Sequence, residues 1–155
     1  MMRMSKTLMI GLILAFSGLS ASTKTSIASE DSRQMVELPK MMQVHMLANM
    51  RDHLVALNEM LGELALGNVD KAGEIAEKRL GMSSMSLHGA AHMGKFIPKE
   101  MGSIGTNMHR AASQFVIIAK NAELEPGKTS QRKVYKALQE ITANCNACHQ
   151  GYRIR

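Results

Sequence analysis

The sequence predicts an all-α protein built as an antiparallel four-helix bundle. Apolar residues recur at helical spacing along the chain, and no segment shows the sustained alternation of a strand. Four amphipathic segments are joined by short connections marked by Gly, Pro, Asn and Ser. Setting aside a leader of 28 residues leaves 155 − 28 = 127, enough for one domain with its own core.

The leader is read from three features in order. Residues 1–7 carry Arg3 and Lys6 and no acid, residues 8–19 run apolar from Leu8 to Leu19, and small residues from Ser20 to Ala28 offer cleavage after Ser22 or after Ala28. That order describes a secretory signal peptide, and twelve residues are too few for the roughly 20 that span a bilayer. The expectation is therefore export to the periplasm, with 1–28 a signal peptide, 29–37 a flexible N-terminal segment and 38–155 the folded domain. No second apolar run follows, so the released chain is expected to be soluble and free of the membrane. Removing Arg3, Lys6 and Lys24 changes the balance from 19 to 16 basic residues against 13 acidic, a net charge of +3 instead of +6. Such a mild excess suits docking to an acidic protein partner. Nucleic acid is excluded, because the basic residues are scattered and aromatics for base stacking are lacking.

The first helix is expected to begin near Pro39, whose fixed φ suits a first turn. Leu47, Met50, Leu54, Leu57, Leu61 and Leu64 step by three and four along it as one stripe, and Gly67-Asn68 ends it. Asp70 is placed to cap the second helix, with Ile75, Ala76 and Leu80 as its apolar face. Gly81 interrupts, and Ser83 or Ser84 restarts a piece running to Phe96 and Ile97 before Pro98. A third helix from about Ser103 sets Ile104, Met108, Ala111, Phe115 and Ile118 on one side. After the turn Glu125-Pro126-Gly127-Lys128, Thr129 or Ser130 caps a last helix whose face carries Val134, Leu138, Ile141, Cys145, Cys148 and Tyr152. Beyond residue 28 there are eleven Met, no Trp and only Phe96, Phe115, Tyr135 and Tyr152 as aromatics. A core of Leu, Ala and Met is adaptable and suits packing around a large flat cofactor.

Cys145-Asn146-Ala147-Cys148-His149 contains both cysteines of the chain. On a helix the two thiols share a face, placed to add to two vinyl groups along one edge of a porphyrin, and the next residue brings an imidazole under the iron. This is the C-x-x-C-H haem-attachment pattern. A dithiol redox motif lacks its βαβ context, structural zinc lacks a second pair of ligands, and a plain disulfide leaves His149 unexplained.

With this motif near the C-terminus, on the last of four helices and followed by Tyr152-Arg153, the chain resembles the class II c-type cytochromes, the cytochrome c prime family, over residues 35–155. The resemblance implies one covalent haem c on Cys145 and Cys148, with His149 as proximal iron ligand. It also implies that a first-helix residue faces the iron, and that homodimers are common, although the sequence itself carries no interface signal. The preferred distal ligand is Met46, with Met50 and Met42 as alternatives. Aligning Asn49-Met50 with the family's Asn-Met pair departs from this, putting Gln43 at the ligand position with Met42 beside it. His45 or His53 is the bis-histidine option, His53 being equally readable as a solvated-face residue beside Arg51 and Asp52.

Histidine–methionine ligation implies an electron-transfer protein and no enzyme, working with a redox partner protein. An iron without a sixth protein ligand implies instead a high-spin binder of NO or CO. A third reading, from another class, is an exported copper-binding bundle using Met82, Met85, His88, His92 and Met93, where thioethers and imidazoles share a short segment. His109 is expected at the surface or boundary of the third helix.

Overall fold

The computed structural model describes residues 30–155, so the expected signal peptide lies outside the described residues. The fold is all-α with one small two-stranded sheet. Helix α1, Lys40–Ala65, begins directly after Pro39, and Gly67 closes it at φ 82°, a conformation costly for any residue with a Cβ. Helix α2, Val69–Ile75, continues into a π-helical turn, Ala76–Leu80, and stops at Gly81. Asp70 does not cap α2; Asn68 occupies that position and Asp70 lies in the first turn, where its charge suits the helix dipole.

The expected helical run from Ser83 towards Phe96 does not form. A 3-10 turn at Met82–Ser84 is followed by looser turns and by the single-turn α3, Ala90–Met93, because Gly89 takes φ 63° and breaks the right-handed path. Helix α4, Lys99–Leu124, starts immediately after Pro98 and not near Ser103. Helix α5, Lys128–Gly151, starts after Gly127, and the Ser130 hydroxyl donates to the Glu125 carbonyl at 2.6 Å without capping the helix N-terminus.

Two further expectations are corrected at the chain ends. The chain has strands: β1, Gln34–Val36, pairs in parallel with β2, Tyr152–Ile154. The ladder extends through Leu38 N–H to the Arg155 carbonyl and Arg155 N–H to the Val36 carbonyl, both at 3.0 Å. Tyr152 is therefore a strand residue and not part of the α5 face. Three-residue strands are too short to show alternation, so only the meeting of the two ends reveals them.

Two apolar clusters hold the fold. The larger joins α1, α2, α4 and α5 through Met60, Leu80, Phe115, Val134 and Ile141 among others, each at most 2 % exposed. Gly73 lets α2 come close to α4, where a Cβ would sit 3.3 Å from the Ala119 Cβ. The smaller cluster gathers Val36, Leu38, Met46, Met93 and Met101, with Met42, Met50, Cys148, Tyr152 and Ile154 packed against it. The predicted α1 stripe does not form a continuous buried face. Met46, Ala56 and Met60 are buried, whereas Leu47, Leu54 and Leu61 are 40 %, 68 % and 46 % exposed. Leu47 and Leu54 face a cleft instead of packed protein, while Met50 and Leu57 line it and also pack against the clusters.

Candidate functional site

The cleft has a volume of about 1440 Å³ and is walled by α1, the 80–98 segment, α4 and the end of α5. Protein interiors pack to near-crystalline density, and ordinary small-molecule pockets hold roughly 300–1,000 Å³. A cleft this large in so short a chain calls for a large occupant. Its exposed lining surface is mostly apolar, with Leu47, Leu54, Leu57, Ile97, Ile104 and Ile141 among the residues that form it. Arg33, Lys99, Arg110 and Arg153 also line it, and no Asp or Glu does among the described residues. The lining therefore combines apolar side chains with cationic and neutral polar groups.

Helix α5 delivers the cysteine motif to this cleft. Its buried face, Val134, Leu138 and Ile141, continues by helical spacing into Cys145 and Cys148, which are half-buried and not joined to each other. Burial pushes both thiols above the usual range, and at Cys148 the neighbouring Cys145 adds to the effect. His149 is exposed and lines the same cleft, and its carbonyl accepts a 3.3 Å hydrogen bond from an Arg33 guanidinium nitrogen. Met46 and Met50 line the cleft as well. Met42 does not; it packs within the smaller cluster on the same helix. The β ladder fastens the residues before α1 to those after α5, which holds the methionines of one near the cysteines of the other.

The residues of the 82–93 segment are parted by the fold. His92 is exposed with its ring edge-on to Phe96, centroids 5.8 Å apart, and Met82 is 40 % exposed. Met93 is buried beside Met46 and Met101. His88 turns to two other helices and meets His53 of α1 and His109 of α4, with ring centroids 4.6 Å and 5.4 Å away. This corrects two expectations: His109 is buried at 7 % exposure, and His53 is a half-buried member of the cluster instead of a solvated residue.

The hydrogen bonds around this cluster are specific. His53 Nε2 lies 3.2 Å from His88 Nδ1. His109 Nδ1–H donates to the Leu80 carbonyl at 2.7 Å, at the end of the π turn. The His88 carbonyl accepts from His45 Nε2–H and Asn49 Nδ2, both at 2.9 Å, so His45 clamps the loop onto α1. Burial, reinforced by the rings of His88 and His109, lowers His53 to about 4. Burial also lowers His88, with a smaller push from His109. Asp52, the one acid next to the cluster in sequence, is ion-paired with Arg79, which also binds Glu59. Sequence reasoning missed this convergence, and the only hint was the excess of histidine on segments that otherwise read as core.

No known protein family, curated protein or solved structure matches the chain. Among the described residues no helix is long and apolar enough to cross a membrane.

Proposed function

We propose that this chain is an exported mono-haem c-type cytochrome of the class II kind, acting in electron transfer in the periplasm. The observation that carries the reading is the opening of Cys145-Asn146-Ala147-Cys148-His149 onto an apolar cleft of about 1440 Å³ that has cationic and no acidic lining residues. The short connections at 66–68 and 125–127 support an antiparallel four-helix bundle around it. A bound haem supplies an iron that changes oxidation state by one electron. The chain's residues do the rest. Cys145 and Cys148 would hold the group as thioethers, and His149 would offer an imidazole nitrogen to its iron. Lys99 and Arg110 line the cleft as cations that would face its carboxylates. Leu47, Leu54, Leu57 and Ile104 exclude water, and a dry site with fixed ligands keeps the reorganisation on electron transfer small.

Met46 is our choice for the far side of the iron, since it lines the cleft from the helix facing the motif and sits in the cluster that touches Cys148. One observation favours the high-spin gas-binding alternative: Met46 also packs among Met93 and Met101, where it serves as an ordinary core methionine. Expression with haem-maturation machinery decides between these. The purified protein is expected to be red and to keep its colour through acid–acetone extraction, and Cys145→Ser/Cys148→Ser to lose it. Colourless wild-type protein overturns the cytochrome reading. A low-spin spectrum that turns high-spin in Met46→Ala supports electron transfer, whereas a high-spin wild type supports gas binding.

A further inference from the structure

We propose that His53, His88 and His109 form a binding site for one divalent transition-metal ion of the zinc–copper class, set in the wall of the cleft. The candidate ligand nitrogens of the three residues all lie within 4.8 Å of one another. Metal–nitrogen bonds of about 2.0–2.1 Å in a tetrahedral arrangement place ligand nitrogens about 3.3 Å apart. His53 Nε2 and His88 Nδ1 already stand at 3.2 Å.

The surroundings favour a metal over a simple histidine network. His109 donates its Nδ1 proton to the Leu80 carbonyl, which fixes the tautomer and leaves Nε2 with a free lone pair. That is how metal-binding histidines are held by their outer partners. The loop carrying His88 is fastened to α1 by two hydrogen bonds to its carbonyl. Asp52 is ion-paired with Arg79, and among the described residues no carboxylate hydrogen-bonds the three rings. Three half-buried or buried imidazoles, which are bases that ligate metals, are thus packed together. Three imidazoles suit Zn²⁺ or Cu²⁺, while Ca²⁺ and Mg²⁺ require oxygen ligands. All three residues line the cleft. Seven residues of α1 separate His53 from Met46, about 10 Å of helix rise, which keeps this site apart from the proposed iron ligand.

The test uses untagged, EDTA-treated full-length protein, and its readout does not depend on whether haem is present. Equilibrium dialysis with Zn²⁺ at pH 7 is expected to give one ion per chain. Outer partners alone alter metal affinity about 10–100-fold, so His53→Ala, His88→Ala or His109→Gln should weaken binding about 100-fold or more, and His92→Ala should leave it unchanged. Wild-type protein loaded with one equivalent of Cu²⁺ should show coupling to three imidazole nitrogens in its electron paramagnetic resonance spectrum, a result independent of how the variants fold. Less than one tenth of an ion per chain overturns the proposal. So do fewer than three coupled nitrogens, loss of binding in His92→Ala, or a haem spectrum that changes ligation in His53→Ala.

Discussion

Acid should weaken the metal-free fold through His53 before it reaches the carboxylates. In an unfolded chain a histidine takes up a proton near pH 6.5, whereas in the fold burial and the adjoining rings hold His53 neutral down to about 4. Above pH 6.5 it is neutral in both states and stability is unaffected. Below that, only the unfolded chain binds the proton, so stability falls as the pH drops from 6.5 towards 4. From 6.5 in the unfolded chain and 4 in the fold, the loss reaches about 3 kcal/mol at pH 4. That is a large share of the 5–15 kcal/mol typical of a domain, and His88, lowered in the same direction, adds to it. The assay is urea unfolding in EDTA at steps between pH 7 and 4, comparing wild type with His53→Gln, which cannot titrate. With a urea dependence of about 1–3 kcal/mol per molar, the wild-type midpoint should fall by roughly 1–3 M more than the variant's by pH 4. Parallel declines in the two proteins would refute the reasoning, because contributions from the carboxylates are common to both.

Gly89→Ala should lose about 1–2 kcal/mol, because the φ of 63° is left-handed and the new Cβ would lie 3.2 Å from His45 Nε2; a thermal midpoint equal to wild type would contradict this. In haem-free chain, alkylation of Cys145 and Cys148 should have a pH midpoint above the usual thiol value of about 8.5 and should return to it in urea, since burial disfavours both thiolates. The same shift makes stability decline as the pH rises past about 8.5, where only the unfolded thiols ionise. Phe115→Ala, emptying a fully buried position where α4 meets the larger cluster, should cost about 3–5 kcal/mol by chemical denaturation.

The sequence alone determined the helical class and most of its punctuation, and it carries the Cys145, Cys148 and His149 pattern at the end of α5. Pro39, Gly67, Gly81, Pro98 and Gly127 act on their own φ, ψ and hydrogen-bonding capacity, so their effects are local and readable. The run Val134, Leu138, Ile141, Cys145, Cys148 was legible for the same reason: one helix with a period of 3.6 sets its own face. The stripe on α1 was misread because periodicity identifies an apolar face but not what covers it. Here Leu47 and Leu54 face a cleft, while Met46 and Met60 meet protein.

What only the tertiary structure decided depends on residues distant in the chain. His53, His88 and His109 stand 35 and 21 residues apart, on two helices and a loop, and no local pattern encodes their meeting. Placing them together required the π turn to present the Leu80 carbonyl, Gly89 to turn the loop, and His45 and Asn49 to hold it. The β ladder likewise exists only because the chain's two ends arrive side by side. Local backbone preferences are properties of neighbouring residues, whereas a cleft and the groups around it belong to helices packed from far along the chain.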